Sequence, residues 1–295
     1  MSARCTVTAN YLRTVPELRR YFASVFLIEI DVADGGAIED FMFPDWATLR
    51  FNAQPSIAGN TRAGEPLPNS RFIVSGPRSQ EAYMHTASLR QWGVLLHPLG
   101  WSLLIGEPAS AFANRLADGM THPAFAAFRP LAATLYGAEP DREGELARLT
   151  DFFLGITPRA EPAEEAIMRA YHALDDPEVD SVDKLAERAG INRRTLERLC
   201  QRVFGFPPKL LLRRQRFLRS LSQFTADPSL KWVGALDAGY YDQAQFVRDF
   251  REFMGMTPSE YGQRCKPVVE PVLRERARYR SEWLRERQLG AYLPG

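Results

Sequence analysis

A chain of 295 residues with 45% apolar and 25% charged side chains carries too much apolar surface to stay disordered and enough for two folded domains. No apolar run approaches the ~18 residues a membrane span needs, and the opening MSARCTVTAN lacks the basic and apolar regions of a secretory leader, so a cytoplasmic protein with no membrane partner is expected. The net charge of +1 is segregated: residues 1–150 carry 13 basic and 15 acidic groups, 151–180 carry 2 and 8, 181–264 carry 15 and 9, and 265–295 carry 7 and 4.

The first hundred residues read as β-rich. Runs heavy in β-branched and aromatic residues, Val25–Ile30, Thr48–Phe51, Arg71–Val74, Ala82–Thr86 and Trp92–Leu96, are separated by Gly, Pro and Asn clusters, a pattern that suits a small barrel or sandwich. The longest break, Asn52 to Ser70, holds Pro55, Gly59, Asn60, Gly64, Pro66, Pro68 and Asn69 and is expected to be an exposed loop. After Trp101–Ile105 the spacing turns helical, with segments expected over Ala109–Asp118, Pro123–Tyr136, Arg142–Leu154 and Pro162–Leu174.

From Ser181 the chain repeats itself at an offset of 50 residues. Asn192 falls on Asp242, Leu196 on Phe246, Arg198 on Arg248, Phe204 on Met254, Gly205 on Gly255 and Pro208 on Pro258. Caps, apolar positions and breakers that recur together indicate a duplicated supersecondary unit. In the first copy Ser181 can cap a helix that buries Leu185, Ala186 and Ala189, and Gly190-Ile191-Asn192 makes the turn. The next helix carries Leu196, Leu199, Cys200, Val203 and Phe204 on one stripe, with Arg193, Arg194, Glu197, Arg198 and Arg202 facing away. In the second copy Asp242 and Gln245 read as a capping pair, Phe246, Phe250, Phe253 and Met254 form the stripe, and Gln243, Gln245 and Arg248 face out. Arg202, Arg213 and Arg251 suit phosphate contacts or surface charge. A helix over Pro208–Phe224, about 17 residues and ~25 Å long, would hold the two outward-facing helices about one DNA turn apart. The second copy departs from the first at its inner helix, where Gly234 stands opposite Leu185 and Lys231 opposite Val182, so Leu230, Val233 and Leu236 are expected to be buried instead.

These residues resemble the AraC/XylS family of bacterial transcription regulators. LAERAGINRRTLERLCQRVFGFPP is similar to that family's first helix-turn-helix and GYYDQAQFVRDFREFMGMTPSEY to its second. The resemblance implies an α+β chain in which a β-rich, cupin-like sensor or dimerisation domain with a helical extension (1–157) and a helical linker (158–180) precede an all-α DNA-binding domain with two helix-turn-helix motifs (181–264) and a helical tail (265–295). It implies double-stranded promoter DNA as partner, with RNA polymerase added for an activator, a small-molecule effector, and a homodimer. Base reading would fall to Arg193, Arg194, Glu197 and Arg198 in one helix and to Gln243, Gln245 and Arg248 in the other. Arg suits guanine in the major groove, Gln adenine, and Glu can accept from cytosine.

Enzymatic chemistry has no visible residue set. His85, His97, His122 and His172 show no metal-ligand spacing, no phosphate-binding or nucleophile-elbow motif occurs, and no cofactor is expected. A cupin enzyme with an appended DNA-binding domain would need metal ligands. A DNA-repair alkyltransferase would need an activated thiol among Cys5, Cys200 and Cys265. Trp46, Arg50, Arg71, Tyr83 and Trp92 could line a ligand pocket in the β-domain, and Arg50, Arg71 and Arg90 could hold an anion if they point inward. In the tail, Val272, Leu273, Trp283 and Leu284 are expected to pack a charged helix on the preceding domain.

Overall fold

A computed structural model describes residues 5–290 apart from 56, 63, 68, 227–235 and 238. The N-terminal half is built from β1 (Cys5–Leu12), β2 (Phe22–Val32), β3 (Ile38–Met42), β4 (Thr48–Asn52), β5 (Ile57–Thr61), β6 (Phe72–Ser75), β7 (Ala82–Thr86), β8 (Leu89–Leu96) and β9 (Leu116–Asp118). Six strands form one sheet in the order β1-β2-β8-β4-β6-β9, and β3-β7-β5 form a second. The paired strands are antiparallel.

Period-two alternation sorts the side chains of the large sheet onto two faces. Leu49, Phe51, Phe72, Val74, Trp92, Val94 and Leu96 pack with α1 (Pro98–Leu104), α2 (Arg129–Thr134) and α3 (Arg142–Leu154). Here Phe51 stacks on Phe72 with ring centroids 4.6 Å apart. Phe26, Ile28, Ile30, Ile73, Leu89 and Leu95 face the other way, toward Ile38, Phe41, Met42 and Ile57 of the small sheet. This second cluster runs on without a break into the C-terminal helices, so the sheet itself divides the two cores.

The remaining helices are α4 (Glu164–Asp175), α5 (Val182–Ala189), α6 (Arg193–Leu199), α7 (Pro208–Ala226), α8 (Gln243–Met254), α9 (Pro258–Gln263) and α10 (Val269–Gly290). α6 continues as a π turn over Cys200–Phe204, which gives it the same 12-residue length as α8, 50 residues away. α7 has 19 residues and spans ~28 Å. α10 packs along β1 and α7, with Val272 and Leu273 buried; the side chains of Trp283 and Leu284 lie outside the described residues.

Several local expectations are corrected. Ala109–Asp118 is a short 3-10 turn (Ala109–Phe112) followed by β9, because the segment is drawn onto the edge of β6. Trp101–Ile105 lies largely in α1, begun by Pro98 at the first helical position. The expected loop after β4 contains β5, whose pairing with β7 and isolated bridge from Gly59 to Leu67 overcome its weak local propensity. Pro123–Tyr136 splits into a 3-10 turn and α2, with Pro130 opening the latter.

Candidate nucleic-acid interface

Each outward-facing helix is held by local chemistry visible in its own sequence. Asn192 begins α6 by accepting from Thr195 N at 2.9 Å, and Asp242 begins α8 by accepting from Gln245 N at 2.6 Å. The Gln245 side chain reaches back to accept from Tyr241 N at 3.0 Å. Each helix ends on a glycine in the left-handed region, Gly205 at φ 84° and Gly255 at φ 67°, which no Cβ-bearing residue adopts cheaply. Leu196, Leu199, Cys200, Val203 and Phe204 are buried in one unit, and Phe246, Phe250, Phe253 and Met254 in the other. The polar faces therefore point out by subtraction. In the second unit, Leu236 is half-buried, whereas Leu230, Lys231, Val233 and Gly234 lie outside the described residues.

The exposed faces differ in how their side chains are engaged. Arg193 pairs with Glu197 at 3.2 Å and Asp183 at 3.4 Å, both in solvent, where such pairs are worth little and exchange readily for phosphate or base contacts. Arg194, Arg198, Arg248 and Arg251 are exposed with no carboxylate at ion-pair distance among the described residues, and Gln243 is exposed too. Gln245 is half-buried and committed to its cap. Arg202 is turned elsewhere: it donates to Glu161 at 2.6 and 3.0 Å. Glu161 also accepts from Ser102 on α1 and from Ala163 N. The hydrogen bonds from Arg202, ahead of all else, hold the Glu161 carboxyl down at about 2. Arg213 is likewise taken up, with Asp249 at 2.6 Å and Glu252 at 2.5 Å.

Sequence alone gave no sign of the segment between β6 and β7. Its Gly76–Glu81 stretch reaches both repeats. Pro77 lies where a Cβ on Gly205 would come within 2.6 Å of it, and Arg78 O accepts from Arg214 of α7 at 3.0 Å. Glu81 N donates to Phe253 O at 2.9 Å, and Arg62 joins Glu81 to Glu252 O. Asp40 of β3 adds another tie, accepting from Val268 and Val269 N at 2.7 and 2.9 Å where α10 starts.

The residues proposed for a ligand pocket do not gather in one place. Trp92 is fully buried against the helices and donates through Nε1 to Glu145 at 2.7 Å, while Arg90 on the same face pairs with Glu145 and Glu29. Trp46 and Arg50 belong to the opposite face, Arg71 is exposed, and Tyr83 lines a cleft of about 290 Å³ with Met84, His85, Leu67 and Glu39. His97 is half-buried, and loss of solvent around its ring with His172 nearby pushes it down to about 4, so it is neutral at physiological pH. Burial pushes the Cys200 thiol up to about 12, which leaves that cysteine no thiolate to act as a nucleophile. Among the described residues no cluster of three or more His, Cys, Asp or Glu stands where it could hold a metal, and no helix is long and apolar enough to cross a membrane.

Residues 185–264 match the family described as helix-turn-helix domain. No curated protein matches the chain. Among solved structures it is similar to ToxT from Vibrio cholerae O395 bound to (E)-4-(8-methylnaphthalen-1-yl)but-3-enoic acid, at 12% identity over 88% of this chain and 98% of that one, with a TM-score of 0.44. It is similar also to unsaturated fatty acid bound wild-type ToxT from Vibrio cholerae strain SCE256, at 13% identity, 87% and 94% coverage and a TM-score of 0.41. The AraC-like transcriptional activator CuxR aligns at 13% identity over 82% and 91%, with a TM-score of 0.25. Two capped helices of equal length, each closed by a left-handed glycine and each carrying an exposed basic or amide face, fit the match of residues 185–264 to a helix-turn-helix domain.

Proposed function

We propose that α6 and α8 enter successive major grooves of one promoter duplex, with Arg194, Arg198, Gln243 and Arg248 reading base edges and Arg251 meeting phosphate. Arg193 and Glu197 join the first face once their solvent-exposed pair opens. Gln245 orients α8 through its cap, and Arg202 serves the junction with Glu161. The single observation that supports this reading is the 50-residue repeat of a 12-residue helix with a cap, stripe and terminal glycine at the same positions, because paired helix-turn-helix units read a duplex by each placing such a helix in the major groove. We further propose that residues 1–157 form a sensor or dimerisation unit, 158–180 its linker and 265–295 a packed tail, acting in the cytoplasm. A small molecule taken up by the β-domain would bias how the two reading helices are presented, and could do so only by binding one arrangement more tightly than another. RNA polymerase contact would follow for an activator, and self-association would place two copies on one operator.

Selection of binding sites from a random duplex pool, repeated with Arg194→Ala and Gln243→Ala, tests the assignment. Each variant should lose preference at a different base position and about 1–3 kcal/mol of affinity for the selected site. An unchanged preference in both variants removes the assignment.

A further inference from the structure

Alternation along β1 places Cys5, Val7, Ala9 and Tyr11 on one face. That face packs into the same cluster as Val268, Val269, Val272 and Leu273, and α10 lies along it. At one end of the contact the Tyr11 and Tyr279 rings are 6.0 Å apart. At the other, Asp40 of β3 accepts from Val268 and Val269 N at 2.7 and 2.9 Å and lies within electrostatic reach of Cys5. From Tyr11 back to Cys5 is about 20 Å of strand, and from Tyr279 back to Val269 is about 15 Å of helix. Strand and helix therefore run side by side in the same direction, and the residues just ahead of Val269 arrive beside Cys5. Cys265 is one of them, and it too lies within electrostatic reach of Cys5.

The two thiols differ in a way that sets the order of their reactions. Cys265 is exposed and lies outside helix and strand, in the link between α9 and α10. Cys5 is half-buried, and burial, ahead of Cys265 and Asp40 nearby, pushes its thiol up. It therefore stays protonated and reacts slowly with an oxidant in solution. A disulfide needs Cα atoms about 4.4–6.8 Å apart. Cys5 is held in place by the pairing of β1 with Val32 of β2, so the irregular link that carries Cys265 is the part that adjusts. The remaining cysteine, Cys200, is enclosed in the first repeat.

We propose that Cys5 and Cys265 are a reversible disulfide pair, oxidised by hydrogen peroxide, that locks the start of α10 onto β1. The Cys265 sulfur gives up its proton and attacks one peroxide oxygen; the O–O bond breaks, the departing hydroxide takes that proton as water, and Cys265 is left as a sulfenic acid. The Cys5 sulfur then gives up its proton and attacks the Cys265 sulfur; the S–O bond breaks and a second water leaves. Two thiols and one hydrogen peroxide thus become one disulfide and two waters, with both electrons passing from sulfur to the peroxide bond. A dithiol reductant reverses the change, and exposure of Cys265 keeps the bond within its reach. Further along, α10 is held by Arg276 on Asp45 at 2.5 and 3.0 Å and by Tyr279 on Tyr11. Since Cys265 follows α9 directly, the bond adds a covalent tie between the end of the second repeat and the β-domain.

Treatment of the reduced full-length protein with hydrogen peroxide, followed by alkylation in denaturant and peptide mapping without reductant, tests this. A peptide linking Cys5 to Cys265 within one chain is expected, with Cys200 left as the alkylated thiol. The oxidised protein should melt several degrees above the reduced one, because the bond constrains the unfolded chain, and dithiothreitol should return it to the lower midpoint. Cys5→Ser should leave Cys265 as a sulfenic acid that dimedone traps, and Cys265→Ser should slow oxidation of Cys5 by about tenfold or more. In neither variant should peroxide raise the midpoint. If Cys5→Ser fails to fold, Cys265→Ser, at an exposed position, supplies the comparison. Three thiols still free after peroxide, Cys265 oxidised beyond sulfenic acid next to a free Cys5, a bond formed only between two chains, or a linked protein whose midpoint has not moved overturns the lock.

Discussion

Replacing Glu161 by Gln removes one charge from the junction between the helical linker and the first repeat while leaving its size unchanged. The carboxyl is 4% exposed, receives a two-pronged bond from Arg202 and titrates at about 2 instead of the ordinary 4.5. At roughly 1.4 kcal/mol for each tenfold change in proton affinity, that difference corresponds to about 3 kcal/mol of preference for the ionised form. Arg202 is 48% exposed, so solvent screens the pair and about 1–2 kcal/mol is expected to remain. A carboxyl whose folded value is depressed stabilises the fold above its unfolded value and loses that contribution as pH falls toward the folded one. The wild-type protein should therefore exceed Glu161→Gln by about 1–2 kcal/mol in urea unfolding at pH 7. That margin should shrink below pH 4.5 and vanish near pH 2. An equal margin at pH 7 and pH 3, or none at pH 7, would refute the reasoning.

Gly255→Ala must hold φ at +67° and bring a Cβ within 2.4 Å of Glu81 Oε1; thermal melting should show a loss of about 1–3 kcal/mol. Gly262→Ala, inside α9 with nothing within 4 Å of the new methyl, should instead gain about 0.5–1 kcal/mol, and a loss there would contradict the described surroundings. Asp249→Asn leaves Arg216 without its carboxylate, leaves Arg213 with Glu252 alone, and weakens the bond from Tyr240 OH at 3.1 Å. Urea unfolding should register about 3 kcal/mol, the low end for a broken buried pair because Arg213 is partly exposed. A change under 1 kcal/mol would count against Asp249 as the anchor of the second repeat.

The two reading helices were legible because everything that defines them is local. Caps lie three residues from the amides they satisfy, apolar stripes follow the 3.6-residue period, and the closing glycines meet a backbone need of their own turn. Strands whose existence depends on a distant partner were not. β5, with sequence Ile-Ala-Gly-Asn-Thr, has no alternation strong enough to stand out from the Gly- and Asn-rich run around it, and β9 is three residues that only β6 makes into a strand. The outward faces of α6 and α8 could be enumerated in advance, but the diversion of Arg202 to Glu161, 41 residues away, could not. Arg50, Arg78, Arg214 and Arg276 lie within electrostatic reach of one another although they come from four separate parts of the chain. Arg50 drew attention through its place in a strand, whereas Arg78, Arg214 and Arg276 acquire meaning only from their neighbours in space.

The Gly76–Glu81 segment has a consequence for engineering. Because it grips the ends of α6 and α8 and the rod between them, the angle between these two helices is not a property of residues 185–264 alone. A chimaera that grafts this C-terminal portion onto a foreign sensor should retain each probe's base taste yet lose tolerance for the native half-site separation, unless the donor's short loop travels with it.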